Sequence, residues 1–141
     1  MKFVWNDAYS VKVHEIDDQH KKFFLMINEV YDLLENLPVT KEALIPTFQK
    51  LADYAFYHLD TEEKYFDEFH FEGKEEHLKY HKMYRETMQD YIDKITLPDV
   101  DAVKITQYTK EIADYAQGWL MKHILLEDQQ YTSCFQSHGL K

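Results

Sequence analysis

Five histidines and two carboxylates interrupt the apolar stripes of this 141-residue chain, and they do so at helical spacing. In order they are His20, then His58-x-x-x-Glu62, then His77-x-x-x-His81, then His123-x-x-x-x-Asp128. An acid such as Glu62 in an apolar row is costly to bury unless a cation compensates it. Binary patterning would place Leu or Ala at such positions. A fold for this chain must therefore bring seven polar side chains together inside it.

The surrounding pattern says what kind of fold that is. Apolar residues recur with helical period from about residue 16 almost to the end. Only three Gly and three Pro occur, which disfavours a turn-rich β protein and favours a few long helices. The predicted helices cover approximately 17–37, 41–68, 74–96 and 99–128. Asp17 is the expected N-terminal cap of the first, and the second starts after Thr40. The breaks fall at Leu37-Pro38, at Gly73 and at Leu97-Pro98-Asp99, and Pro46 lies close enough to a helix start to be tolerated. Their inward stripes run through Ile16, His20, Phe24 and Ile27; through Phe48, Ala55, His58, Glu62, Tyr65 and Phe69; through His77, His81, Tyr84 and Met88; and through Ile105, Ile112, Tyr115, Trp119 and His123. Residues 1–15 carry Phe3, Trp5 and Tyr9 without helical period and read as an arm. Residues 129–141 read as a short tail.

Short connections between long helices imply antiparallel neighbours. The expected architecture is all-α: an up-down-up-down antiparallel four-helix bundle in a single domain spanning 1–141. In that topology the start of the first helix, the end of the second, the start of the third and the end of the fourth share one end of the molecule. All seven donors lie on those four ends. Residues four apart on a helix are offset by about 40° and roughly 6 Å, so each such pair can serve one ion or two neighbours. His123 and Asp128 are five apart, about 140° on an ideal helix. Either a π-type bulge realigns them or Asp128 reaches in from a loosened last turn. An unbroken, regular α-helix from 119 to 130 would count against Asp128. Imidazole nitrogen and carboxylate oxygen are donors for first-row transition metals, and seven are too many for one ion but suit two.

Charge narrows the partners. The formal net charge is −10, with 26 acidic against 16 basic residues, and no basic stripe offsets it, which argues against nucleic acid. No apolar run approaches a membrane span, and the N-terminal residues lack the apolar core of a signal peptide. The single cysteine, Cys134, fits a reducing compartment, with the cytoplasm as default. His14, His70 and His138 read as surface residues, Cys134 as a bystander, and Glu63 as part of a wetted face.

The chain resembles the hemerythrins, and most of all their single-domain bacterial type. The resemblance covers nearly the whole length. It is carried by Trp5 and Tyr9 ahead of Ile16-Asp17-x-Gln19-His20-Lys21, by His58-x-x-x-Glu62-Glu63, by His77-x-x-x-His81, and by Trp119-Leu120-x-x-His123-Ile124-x-x-x-Asp128-x-x-Tyr131. It implies two non-haem iron ions (Fe2+/Fe3+) joined by an oxo or hydroxo bridge. His77, His81 and His123 would hold one iron, His20 and His58 the other, and Glu62 and Asp128 would bridge them. Three histidines plus three bridges close one coordination shell at six, while two plus three leave one position open on the other iron. Leu120, Trp119 and Ile124, with Leu59, would wall a dry pocket for dioxygen. The implied function is reversible dioxygen binding, as carrier, store or scavenger, with dioxygen as the partner and no protein partner specified. The alternatives are a di-iron enzyme with peroxidase-like or NO-handling activity, and a sensor of oxygen or redox state acting through a separate protein. Carboxylate-rich di-iron oxygenases use paired Glu-x-x-His motifs, and this chain has no Glu-x-x-His. The expectation is therefore a binding protein rather than an enzyme, with weak oxidase or peroxidase activity left open.

Overall fold

The computed structural model describes residues 4–141 and shows four long helices around a common core. Phe3 of the predicted arm lies outside the described residues. The helices are α1 (His14–Leu33), α2 (Lys41–Glu68), α3 (Lys74–Ile95) and α4 (Ala102–Lys122), and the described residues contain no strand. After α4 the chain continues as a π turn (His123–Glu127), a 3-10 turn (Asp128–Tyr131) and a short helix α5 (Thr132–Ser137). Consecutive helices pack against each other and α1 closes the ring on α4, the arrangement of an up-down-up-down bundle.

The ends of the elements follow local chemistry. Thr40 caps α2 by accepting from the Ala43 amide at 3.2 Å, and Asp101 caps α4 by accepting from Lys104 at 2.9 Å. Asp17, expected as a cap, is not one. It lies inside α1, where its carboxylate accepts from the Val11 amide at 2.8 Å and the Ser10 hydroxyl, tying the arm down. That anchor lets α1 begin at His14, three residues before the predicted start. The first helix also ends at Leu33 rather than 37, in successive turns. The end of α2 is a Schellman cap, with His70 in the left-handed region (φ 51°) and the Phe71 amide donating to the Phe66 carbonyl at 3.0 Å. The Phe66 and Phe71 rings meet across it at 5.0 Å. A side chain at Gly73 would collide with the Phe71 ring at 2.7 Å, which accounts for glycine there.

Two apolar clusters fill the interior. The larger runs along the bundle through Phe23, Ile27, Leu44, Phe48, Leu59, Tyr84, Met88, Ile112 and Leu120. The smaller joins the arm, the end of α2 and the C-terminal segment through Val11, Val13, Ile16, Phe66, Tyr131 and Phe135. The predicted tail is thus part of the packed structure, since Tyr131 and Phe135 are fully buried. Backbone and side-chain bonds knit the two chain ends together: His14 N–H to the Lys141 carbonyl at 2.8 Å, and the Thr132 hydroxyl to the Val11 carbonyl at 2.9 Å.

Candidate metal centre

Between the two clusters lies a buried polar layer. His20, His58, Glu62, His77, His81, His123 and Asp128 are each at most 3% exposed, and the four helix ends named above deliver them to one place. Their donor atoms form two groups, each with all members within 4.8 Å of one another: Glu62 with His77, His81 and His123, and His20, His58, Glu62 and Asp128.

All five imidazoles point Nε2 inward. His77 and His81 each bring Nε2 to 3.2 Å from Nε2 of His123, and His20 and His58 stand 3.0 Å apart at the same atoms. The carboxylates reach both groups, one oxygen each. Glu62 Oε1 is 3.0 Å from His81 while its Oε2 is 3.4 Å from His58. Asp128 Oδ1 is 2.8 Å from both His77 and His123 while its Oδ2 is 3.2 Å from His20.

The position of Asp128 depends on the π turn. The Asp128 amide donates to the His123 carbonyl, five residues back, so the turn carries one extra residue. The side chains at 123 and 128 then share a face that an α-helix would deny them. Of the two routes open from the sequence, the bulge is the one the chain takes.

Electrostatics within the layer are strained. Burial pushes Glu62 up, but the His58 charge and hydrogen bonds from His123, His58 and His77 outweigh it and hold the acid well below its ordinary range. Asp128, pushed up by burial and by Glu62, is nonetheless held far down by His123 and His20. Burial lowers His123, yet Asp128 and Glu62 drive it up to about 10. His77 is likewise raised by Asp128 and Glu62 against burial, whereas His20 is lowered by burial and by His58. Five ring nitrogens converging at about 3 Å repel wherever two lone pairs face each other, and protons cannot occupy every such contact. Asp128 Oδ2 is buried without a hydrogen-bond partner. A pair of divalent cations removes both difficulties, because lone pairs of imidazole and carboxylate are what such ions take. The residues fit the group.

Outside the layer, the ring Nδ1 atoms are held unequally. His58 Nδ1 meets Gln19 Oε1 at 2.7 Å, and His81 Nδ1 meets Glu63 Oε2 at 2.7 Å. Arg85 donates to Glu63 at 2.7 Å and to Asp60 at 2.8 Å, so Glu63 is held below its usual range, against burial, by His81 and Arg85. Glu63 is therefore not part of a wetted face; its neighbour in sequence looks inward while it reaches sideways to α3. The spacing of His81 and Arg85, four apart on the helix facing it, was the available signal. Tyr131 donates to Glu62 Oε2 at 2.6 Å, and His20 and His123 leave Nδ1 without a partner.

Leu59, Leu120 and Ile124 are fully buried beside the layer, and Trp119, partly exposed, stacks on the His123 ring at 4.4 Å and 17°. His14 and His70 are exposed, as expected, and exposed His138 stacks on Phe69 at 4.5 Å. Cys134 is half-buried with its thiol pushed up by burial, away from the layer.

A four-helix bundle carrying a buried, histidine-rich, carboxylate-spanned polar layer defines a class of metal-binding bundle proteins. The family model described as "Hemerythrin HHE cation binding domain" matches residues 11–134. The chain belongs to the hemerythrin family. It is 29% identical over 136 residues to a bacteriohemerythrin of Clostridium acetobutylicum, covering 92% of this chain and 98% of that protein. It is 26% identical to a hemerythrin-like protein of Naegleria gruberi, over 92% of this chain and 90% of the other. Among solved structures, wild-type hemerythrin superposes with a TM-score of 0.82 at 22% identity, covering 94% of this chain and 96% of that one. No helix among the described residues is long and apolar enough to cross a membrane.

Proposed function

We propose that this protein binds dioxygen reversibly at a non-haem di-iron centre. The observation that carries the reading is the unequal division of the polar layer: three histidines on one side, two on the other, with Glu62 and Asp128 each offering one oxygen to both. His77, His81 and His123 would hold one iron and His20 and His58 the second. The iron pair, when bound, would supply the redox chemistry that dioxygen binding requires.

The chain's own residues do the rest. Glu62 is fixed by the Tyr131 hydroxyl, which leaves its two oxygens aimed at different histidine groups. Gln19 and Glu63 orient the His58 and His81 rings by accepting hydrogen bonds from their outward Nδ1–H groups. Leu59, Leu120 and Ile124 exclude water from the layer, and Trp119 shields the His123 ring. A dry, acid-free apolar wall suits reversible binding, because a proton donor at that wall would favour O–O cleavage. The lone Cys134 is consistent with a reducing cytoplasm.

Metal analysis of protein made in iron-supplemented cells should give two irons per chain. Anaerobic reduction followed by air should develop a colour that bleaches under vacuum. A colour that decays irreversibly, or less than one iron per chain after supplementation, overturns the reading. Leu120→Ala should admit water and speed autoxidation; an unchanged rate removes Leu120 from the water-excluding wall.

A further inference from the structure

Glu127 shares the π turn with His123 and takes no part in the seven-donor layer. It is only 6% exposed, and its Oε2 has no hydrogen-bond partner. His123, 2% exposed, has an unpartnered Nδ1. Both residues line the same cavity of about 100 Å3, with Tyr80, Met83, Trp119 and Lys122 completing its wall. A buried donor and a buried acceptor, each left alone, cost roughly 1–3 kcal/mol apiece. No hydrogen bond joins them directly. The cavity has these two residues in its wall and room for about three waters at roughly 30 Å3 each. Exposed Met83 and Lys122 at its rim give solvent a way in.

The comparison within the layer makes the assignment specific. His58 and His81 place their Nδ1 atoms directly on Gln19 and Glu63. His123 has no such neighbour, but it lines a cavity whose wall also contains the Glu127 carboxylate. We infer that Glu127 is the outer partner of His123, reached through water: the His123 Nδ1–H donates to water held in this cavity, and that water donates to the Glu127 carboxylate. Glu127 is thereby a positioning residue. It fixes the tautomer with Nδ1 protonated and Nε2 free to face the metal, and it strengthens Nε2 as a donor. The inference rests on the di-iron reading of the inward Nε2 atoms.

Two variants of the full chain, Glu127→Leu and Glu127→Gln, test it through three readouts. These are the unfolding free energy of the metal-free chain, iron(II) affinity by competition with a chelator, and the exchangeable ring N–H resonances of the iron(II)-loaded protein. Glu127→Leu should leave the metal-free chain about as stable as before, because the lost water-mediated contact is offset by no longer burying a carboxylate. Its iron affinity should still fall about tenfold or more. Glu127→Gln keeps the shape and loses the charge; it should fall less and should shift one ring N–H resonance. Unchanged affinity in both variants overturns the inference, as does a loss of affinity matched by an equal loss of metal-free stability. Should Glu127→Leu not fold, Glu127→Gln decides by the same resonance and affinity. If the unaltered chain takes up no iron, the di-iron reading itself falls and this one with it.

Discussion

The two ends of the bundle are built on opposite principles. At the far end, Val30, Leu44, Phe48, Ile95 and Ile105 are buried apolar side chains, closed by the Thr40 and Asp101 caps. That end satisfies itself: each of these side chains gains by leaving water, and nothing further is needed. The other end buries the seven donor side chains among apolar neighbours, with lone pairs that converge on one another and suit a cation. Folding and metal capture are thus divided along the molecule. The far end holds the four helices in register, and the near end uses that register to define a site it could not stabilise alone.

The largest predicted effect tests the self-sufficient end. Phe48→Ala should cost about 3–5 kcal/mol in denaturant unfolding, with and without iron alike. A cost confined to the iron-loaded protein would break the division. Iron itself should come next. At a free concentration a thousand times its dissociation constant, binding should add about 4 kcal/mol. Stripping it should release hydrogen-exchange protection around residues 58–66, 77–84 and 120–131 while residues 44–52 and 105–113 stay protected. Uniform loss along all four helices would show one cooperative unit instead of two regimes. Smaller again, Glu63→Gln should lower iron affinity roughly tenfold to a hundredfold with little change in metal-free stability, as read by chelator competition. Equal affinity would leave Glu63 as a surface ion-pair residue only. The smallest effect belongs to Asp101→Ala, about 1 kcal/mol from the lost cap, and iron affinity should not move with it.

The same division explains what could be read in advance. The four helices and the shared end of the seven donors follow from period and connection length, which are properties of the chain taken locally. His58 and Glu62 sit where a four-residue spacing on an α-helix puts them. Asp128 was harder: the spacing demanded an irregularity but allowed two, and only backbone hydrogen bonding in the assembled bundle separates a π turn from a loosened end. Asp17 misled because a capping residue type and an arm-binding residue look identical in sequence; what differs is whether Ser10 and Val11 fold back onto it. Helical period puts Tyr65 and Phe69 on the inward stripe of α2, yet Phe66 is the fully buried residue there, since the end of that helix faces the arm and α5 rather than the bundle axis. Glu127 reads in sequence only as a charge on a helix, and the His81 and Arg85 spacing points to Glu63 only once α3 is known to face it.

The joining of residues 11–14 to residues 132 and 141 has a mechanical consequence. His14 and Val11 tie the arm to Lys141 and Thr132, and the turn just before Thr132 carries Asp128 and Tyr131, the latter bonded to Glu62. Freeing the arm should therefore slacken the seat of Asp128 while the four long helices keep their register.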